Sequence, residues 1–334
     1  MIPILELKTV SKRFTQKLDA STRLANLVGT PFGAKPVRQE IVQAVDKVDL
    51  RIPPGKVVGL VGESGCGKST LGRMAVGLHA PSEGQRLWKG ADLHTATQQE
   101  RRQAQLKMQM IFQDPYASLN PRKRVVDIVG EAPVAHGLVQ GAQKEAYVTE
   151  LLAKVGLPSA VLRRYPHQFS GGQRARVGIA RALAVQPELL VCDESVAALD
   201  VSIQAQVLNL FMKLRAELAL TYLFISHDLS VVKHISDEVV IMYLGRVVES
   251  GPTEELFLRP LHPYSVALLR AAPELEAGKK VFRPISGEIP SPLNPPQGCH
   301  FHPRCPHTMP KCRETAPELV MVGLQRLTAC HLHA

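Results

Sequence analysis

Residues 62–70 read Gly-Glu-Ser-Gly-Cys-Gly-Lys-Ser-Thr, a G-x-x-x-x-G-K-[ST] pattern whose residue types suit a phosphate cradle. Gly62, Gly65 and Gly67 let the backbone wrap an anion without Cβ clashes, so that loop N–H groups can converge on it. Lys68 supplies a point charge for β- and γ-phosphates, and the Ser69 hydroxyl can ligate magnesium. Ser64, Cys66 and Thr70 complete the nucleotide-binding stretch. A glycine-rich turn ahead of a helix can match a short pattern by chance, but here the context agrees. Residues 56–61 (KVVGLV) are an apolar run of strand length, and residues 71–78 read as a helix. Strand, loop and helix aim loop amides and a helix N-terminus at one point, which makes this a nucleotide phosphate site.

A second set of candidates lies at strand ends. Residues 188–192 (ELLVC) form a mostly apolar strand that runs into Asp193-Glu194. A solvated strand end explains one acid better than this pair in a chain with a phosphate loop. Asp193 suits magnesium, directly or through water, and Glu194 suits orienting and deprotonating an attacking water. Residues 222–225 (YLFI) form a further strand before Ser226-His227-Asp228. A lone histidine at a strand end is ordinarily structural. His227, however, falls at the same end of the presumed parallel sheet as Lys68 and Glu194, where ligands collect.

The elements that must position these residues follow from periodicity. Residues 4–14 alternate as a first strand ending in Phe14, a core aromatic or a flat face for a purine. Residues 16–39 are broken by Gly29, Pro31, Gly33 and Pro36 and read as a long basic surface loop. Residues 44–52 alternate as a strand, and residues 108–112 form another that ends at Gln113. Residues 114–178 are helical with breaks, a helical subdomain inserted in an α/β core. That stretch contains Phe169-Ser170-Gly171-Gly172-Gln173, followed by a helical pattern over 174–185. Ser170 stands where an N-cap belongs, although Ser-Gly-Gly by itself also occurs in linkers. Residues 239–248 read as a closing hairpin around Leu244-Gly245.

Composition bounds the rest. The chain has 334 residues, 45% hydrophobic and 21% charged, which fits a globular protein of one large or two modest domains. No stretch has the apolar length needed to cross a bilayer, and the N-terminus lacks a basic-then-apolar signal layout, so a cytoplasmic location is expected. A net charge of +10 invites nucleic acid, but equally suits phosphate ligands or an anionic membrane face. No recognition-helix or aromatic-interleaved pattern favours nucleic acid, and none is expected as a partner. Of six cysteines, Cys66 and Cys192 sit inside other motifs as small packing residues, whereas Cys299, Cys305, Cys312 and Cys330 crowd the C-terminal end. Five, six and seventeen residues separate those four, which is neither a C-x-x-C zinc pattern nor a ferredoxin run. A four-thiolate metal site, zinc shared with nearby His300, His302, His307, His331 or His333, and four unrelated surface cysteines are the alternatives.

Phosphate loop, Gln113, FSGGQ, ELLVCDE, AALD (197–200) and His227 occur in one order over roughly residues 4–255, and in this the chain resembles the nucleotide-binding subunit of an ABC transporter. The resemblance implies an α/β ABC-ATPase cassette: a core sheet carrying the phosphate loop, an antiparallel β subdomain and the inserted helical subdomain. It implies ATP and magnesium, with Phe14 stacking on the base, and Ser69, Gln113 and Asp193 around the metal. Glu194 is then the catalytic base, with Gln113 and His227 as γ-phosphate contacts. Ser170, Gly171, Gly172 and Gln173 match the signature that caps ATP held by a second, homologous cassette in a head-to-tail heterodimer, with Asp200 linking the two sites. Two positions depart from the common pattern: Ser195 stands where Pro usually follows the catalytic Glu, and Ala197 where a Ser precedes Ala-Leu-Asp.

The closer similarity is to ATP-binding subunits of bacterial dipeptide and oligopeptide importers. It rests on residues 113–122 (QDPYASLNPR), 164–183, 199–210 and 225–246, on Leu261-His262-Pro263-Tyr264 and on the Pro-rich 284–296. This resemblance implies a cassette over 1–255 and a Cys-rich peptide-transporter extension over 256–334. It implies two membrane permease subunits, an extracytoplasmic peptide-binding protein as an indirect partner, and a peripheral place on the cytoplasmic face of the inner membrane. It also favours a 4Fe-4S cluster on Cys299, Cys305, Cys312 and Cys330, because members of that group carry one on similarly spaced cysteines. Nickel, haem and opine importers share similar cassettes. A DNA-repair or chromosome ABC ATPase is disfavoured because only about a hundred residues, without sustained heptads, separate Lys68 from Ser170. A ribosome-acting factor would carry two cassettes, whereas this chain has one phosphate loop.

Overall fold

The computed structural model describes residues 2–15, 40–114, 118–271, 285, 287–323 and 325–333. The expected basic loop at 16–39 and parts of the 113–122 and 284–296 stretches lie outside the described residues. Strands β1 (Leu5–Thr15), β2 (Ile41–Ile52), β4 (Glu83–Trp88) and β5 (Ala91–Asp92) form an antiparallel sheet in the order β2-β1-β4-β5. A larger sheet holds β3 (Val57–Val61), β6 (Met108–Ile111), β7 (Leu189–Asp193), β8 (Thr221–Ile225), β9 (Glu238–Tyr243), β10 (Arg246–Pro252), β11 (Val320–Met321) and β12 (Leu327–Thr328). Its order is β11-β12-β10-β9-β3-β8-β7-β6.

The central strands β3, β7 and β8 are buried at every position, as expected of parallel strands covered on both faces. They pair in parallel and nearly level: Leu60 faces Ile225, Ile225 faces Asp193, and Ile111 of β6 faces Cys192. Residues that directly follow these strands therefore emerge along one rim of the sheet. β9 joins β3 in parallel, and the hairpin through Leu244-Gly245 returns it antiparallel into β10.

Helices α1 (Lys68–Ala75) and α2 (Gln98–Lys107) lie between the strands of the two sheets in sequence. Helices α3 (Val125–Ala135), α4 (Lys144–Lys154) and α5 (Gly171–Leu183) make the helical portion, closed around Val129, Val148, Leu152 and Val177. The same apolar cluster continues into Leu190, Phe211 and Phe224, so this portion rests on the sheet without a separate core. Helices α6 (Val201–Leu218) and α7 (Leu229–Ile235) connect β7 to β8 and β8 to β9. The C-terminal part holds α8 (Thr253–Leu258), α9 (Pro263–Ala271) and α10 (Pro310–Glu314). It packs Tyr264 and Phe301 against Val61 and Tyr243. Among the described residues, no helix is long and apolar enough to cross a membrane.

Candidate functional site

The phosphate loop leaves β3 at Val61 and enters α1 at Lys68. Gly67 is the helix N-cap with φ 104°, and a Cβ there would drive into the Ala44 carbonyl oxygen, so only glycine fits. With no side-chain cap and no acid in its first turn, α1 presents its first amides to the loop's concavity. Lys68 is buried, and its Nζ donates to the carbonyls of Gly62 at 2.8 Å and Glu63 at 3.0 Å. Neutral carbonyls fold the ammonium back over the loop without cancelling its charge. Cys66 is also buried, and desolvation raises its thiol pKa, which fits a packing residue rather than a nucleophile.

Across from the loop, Ser69 Oγ donates to Asp193 Oδ1 at 2.8 Å. Asp193 is 2% exposed, and burial pushes its carboxyl pKa above the ordinary value against the opposing pull of Ser69, Arg73 and Lys68. A buried carboxylate short of positive charge beside a serine hydroxyl is a hard-oxygen donor pair suited to Mg²⁺. The next residue, Glu194, has φ 47°, a left-handed conformation of a kind held at functional sites by surrounding structure. Its amide is fixed by the Ile225 carbonyl at 2.9 Å. One carboxylate oxygen, Oε2, accepts from Gln113 Nε2 at 2.9 Å and lies 3.3 Å from His227 Nδ1. Gln113, Glu194 and His227 come from three different strand ends and meet at that single oxygen.

Other sequence candidates stand apart. Ser170 caps α5 in a capping box, accepting from the Gln173 amide at 3.3 Å while its own amide donates to Gln173 Oε1 at 3.1 Å. Ser170 and Gly171 are exposed, and Gly172 is buried where a Cβ would press into Ile203. Among the described residues, no hydrogen bond or ion pair joins 170–173 to 62–70. Phe14 meets His79 edge-on, centroids 5.5 Å apart, under the Lys12 ammonium at 5.2 Å. His79 lies beyond the C-terminal end of α1, away from the phosphate loop.

Two family models match this arrangement: "ABC transporter" over residues 45–197, and "Oligopeptide/dipeptide transporter, C-terminal region" over residues 248–312. The oligopeptide transport ATP-binding protein AppF of Bacillus subtilis is 51% identical over 88% of this chain and 90% of its own length. The chain belongs to the ABC transporter family, in its oligopeptide and dipeptide branch. The dipeptide transport ATP-binding protein DppF of Haemophilus influenzae is 45% identical over 95% of this chain and 98% of its own. Among solved structures, a dimeric ATP-binding cassette in a post-hydrolysis state bound to ADP and Pi superposes with TM-score 0.61 at 27% identity. That match covers 75% of this chain and 98% of the other.

In this ABC cassette the two departures sit in the turn after Glu194. Ser195 is buried, and the Ala197 amide donates to the Glu194 carbonyl at 3.1 Å. In the C-terminal part, Cys299, Cys305, Cys312 and Cys330 line one small enclosed pocket together with His302, His307 and His331. All four are free thiols, and burial raises the pKa of Cys299 to about 11 and also raises those of Cys305 and Cys330. The expected 4Fe-4S cluster has no formed site here. Among the described residues, no three His, Cys, Asp or Glu side chains are spaced to hold a metal ion. The donor types suit a thiolate-bound group, but the spacing of the side chains does not form its cage. His331 Nε2 donates to the Thr315 carbonyl at 2.9 Å, and its Nδ1 is buried without a partner among the described residues.

Two functional features escaped the sequence reading. The tail's short β11–β12 hairpin joins the main sheet through β10, and Arg304 reaches the phosphate loop at Glu63. Isolated strand pairs of two residues and a single arginine carry no periodic signal.

Proposed function

We propose that this cassette is the ATP-binding and hydrolysing subunit of a dipeptide/oligopeptide importer on the cytoplasmic face of a bacterial inner membrane. The observation that carries the reading is the convergence of Gln113 and His227 on Glu194 Oε2, one residue from the Asp193–Ser69 pair. Lys68 and the open amides of α1 bind the triphosphate. Ser69, Asp193 and Gln113 would hold Mg²⁺, which supplies neutralising charge at the phosphates. Glu194 takes the proton of the attacking water, and its fixed amide and two polar neighbours hold its carboxylate in line. His227, more than half exposed, is free to leave Glu194 for the γ-phosphate.

Ser170 to Gln173, with Ser170 and Gly171 exposed at the start of α5, complete the site of a second, homologous cassette, and Asp200 links the paired sites. Phe14 takes the adenine. The cassette occupies 1–255 and a peptide-transporter extension 256–334. Two permease subunits couple to the helical portion, and an extracytoplasmic binding protein delivers the peptide. Glu194→Gln in the assembled transporter should retain ATP binding, lower turnover by about 10²–10⁴-fold and trap the closed dimer. Turnover near wild type would remove Glu194 as base.

For the tail, the finer reading is a 4Fe-4S cluster on its four cysteines, which line one pocket but would have to close on the cluster to hold it. The bare Nδ1 of His331 favours zinc with mixed ligands as the second reading. Anaerobic preparation with iron and sulfide analysis separates them: brown protein with both elements supports the cluster, and colourless protein with stoichiometric zinc supports the alternative.

A further inference from the structure

Glu63 is the second residue of the phosphate loop, and its polar groups are claimed from two directions. Its carbonyl accepts from Lys68 Nζ at 3.0 Å. Its amide donates to Tyr264 Oη at 2.9 Å, and its carboxylate takes a two-pronged pair from Arg304, Nη1 at 2.8 Å and Nη2 at 3.0 Å. Both partners belong to the C-terminal part, and both are shielded: Tyr264 is fully buried and the Arg304 side chain only 3% exposed. Shielded charge-assisted pairs of this geometry are strong and orient what they hold.

The tail groups are themselves fixed. Glu249 of β10, fully buried, accepts from the amides of Leu261 and His262 at 2.9 and 2.8 Å. His262 Nδ1 accepts from the Tyr264 amide at 3.0 Å. The ring of Tyr264 packs against Tyr243 and Phe301 at centroid distances of 4.7 and 5.4 Å, and the Arg304 guanidinium lies 5.8 Å from the Tyr243 centroid. The His-Pro-Tyr stretch thus runs from a core strand to the loop that cradles phosphate.

We propose that Tyr264 and Arg304 are positioning residues for ATP: they hold Glu63, and through it the phosphate loop and Lys68, in the nucleotide-receiving arrangement. The proposal rests on the ATP-site reading above. Glu63 would otherwise bring an unneutralised carboxylate to a site for a triphosphate, and Arg304 removes that repulsion while locking the turn. Tyr264 pins the same residue from its backbone, so the two act on one point by different means.

The test is ATP turnover and equilibrium nucleotide binding by the assembled transporter carrying Tyr264→Phe, Arg304→Ala, Arg304→Lys, Glu63→Gln or the Glu63→Gln/Arg304→Ala pair. Tyr264→Phe keeps the buried ring, so the fold survives even where Arg304→Ala destabilises it. The expected result is a KM and Kd for ATP raised several-fold in Tyr264→Phe and about tenfold in Arg304→Ala, with kcat within about twofold. Arg304→Lys should recover part of the loss, and Arg304→Ala should cost little more once Glu63 is Gln. Unchanged KM and Kd in Tyr264→Phe and Arg304→Ala would overturn the proposal, as would an undiminished Arg304→Ala effect in the Glu63→Gln background. A wild-type assembly that neither binds nor hydrolyses ATP would instead remove the parent reading.

Discussion

The rim of parallel strand ends and the C-terminal part handle charge in opposite ways. At the rim, Lys68 leans on carbonyls, Asp193 is held by a serine hydroxyl, and Glu194 gathers an amide and a partly exposed imidazole. In and around the tail, buried charges meet full counter-charges: Glu249 with Arg326 at 2.6 Å, Asp46 with Arg246 at 2.6 Å, Glu63 with Arg304 at 2.8 Å. Groups that leave strong charges incompletely answered are poised for a ligand; groups that answer them internally fix geometry. The difference separates a working surface from a brace, with Glu63 as the residue common to both.

Three substitutions would sharpen or break that contrast. Arg326→Ala strands the fully buried Glu249 and should cost about 3–5 kcal/mol of unfolding free energy in denaturant titration. A loss under about 1 kcal/mol would mean that the brace does not depend on its ion pairs.

Asp193→Asn should behave oppositely, lowering turnover by about a hundredfold while raising the thermal midpoint of the nucleotide-free protein. The sign follows from burial, which lifts the Asp193 pKa above its ordinary 3.8, so the folded state holds the proton more tightly than the unfolded chain. Wild type therefore gains stability as pH falls through that raised value toward the ordinary one, and the advantage of Asn should shrink over the same window. Melting curves from neutral pH downward check this; a destabilised Asn variant at neutral pH would place Asp193 among the bracing charges. The smallest effect belongs to Phe14→Ala, a several-fold rise in KM for ATP with kcat kept, worth about 1 kcal/mol of stacking. No change in KM would leave Phe14 to its contacts with His79 and Lys12.

The rim was largely legible in the sequence because each of its parts is local. An apolar run followed at once by a glycine loop, an acid pair or a histidine states both the strand and what its end carries. Parallel pairing then brings Gln113, Glu194 and His227 together without further instruction. The edge elements were less legible: Glu83–Trp88 (EGQRLW) alternates weakly, and α2 is a polar helix announced only by its Thr97–Glu100 capping box. The brace was almost unreadable. Arg304 and Glu63 are 241 positions apart, and nothing around Arg304 marks it beyond a neighbouring proline and cysteine. Four crowded cysteines suggest a thiolate metal site, and by resemblance a 4Fe-4S cluster, yet their density in sequence brings them only to a common pocket wall.

The pairing of β12 with β10, Thr328 opposite Glu249 and Leu327 opposite Ser250, has a practical consequence for shortened versions of the chain. Cutting after residue 255 would strip the outer neighbour from a strand and leave its amides and carbonyls open to any other chain's backbone, the usual start of self-association. A truncated cassette that precipitates would then report a bared edge and say nothing of what the missing residues do for nucleotide.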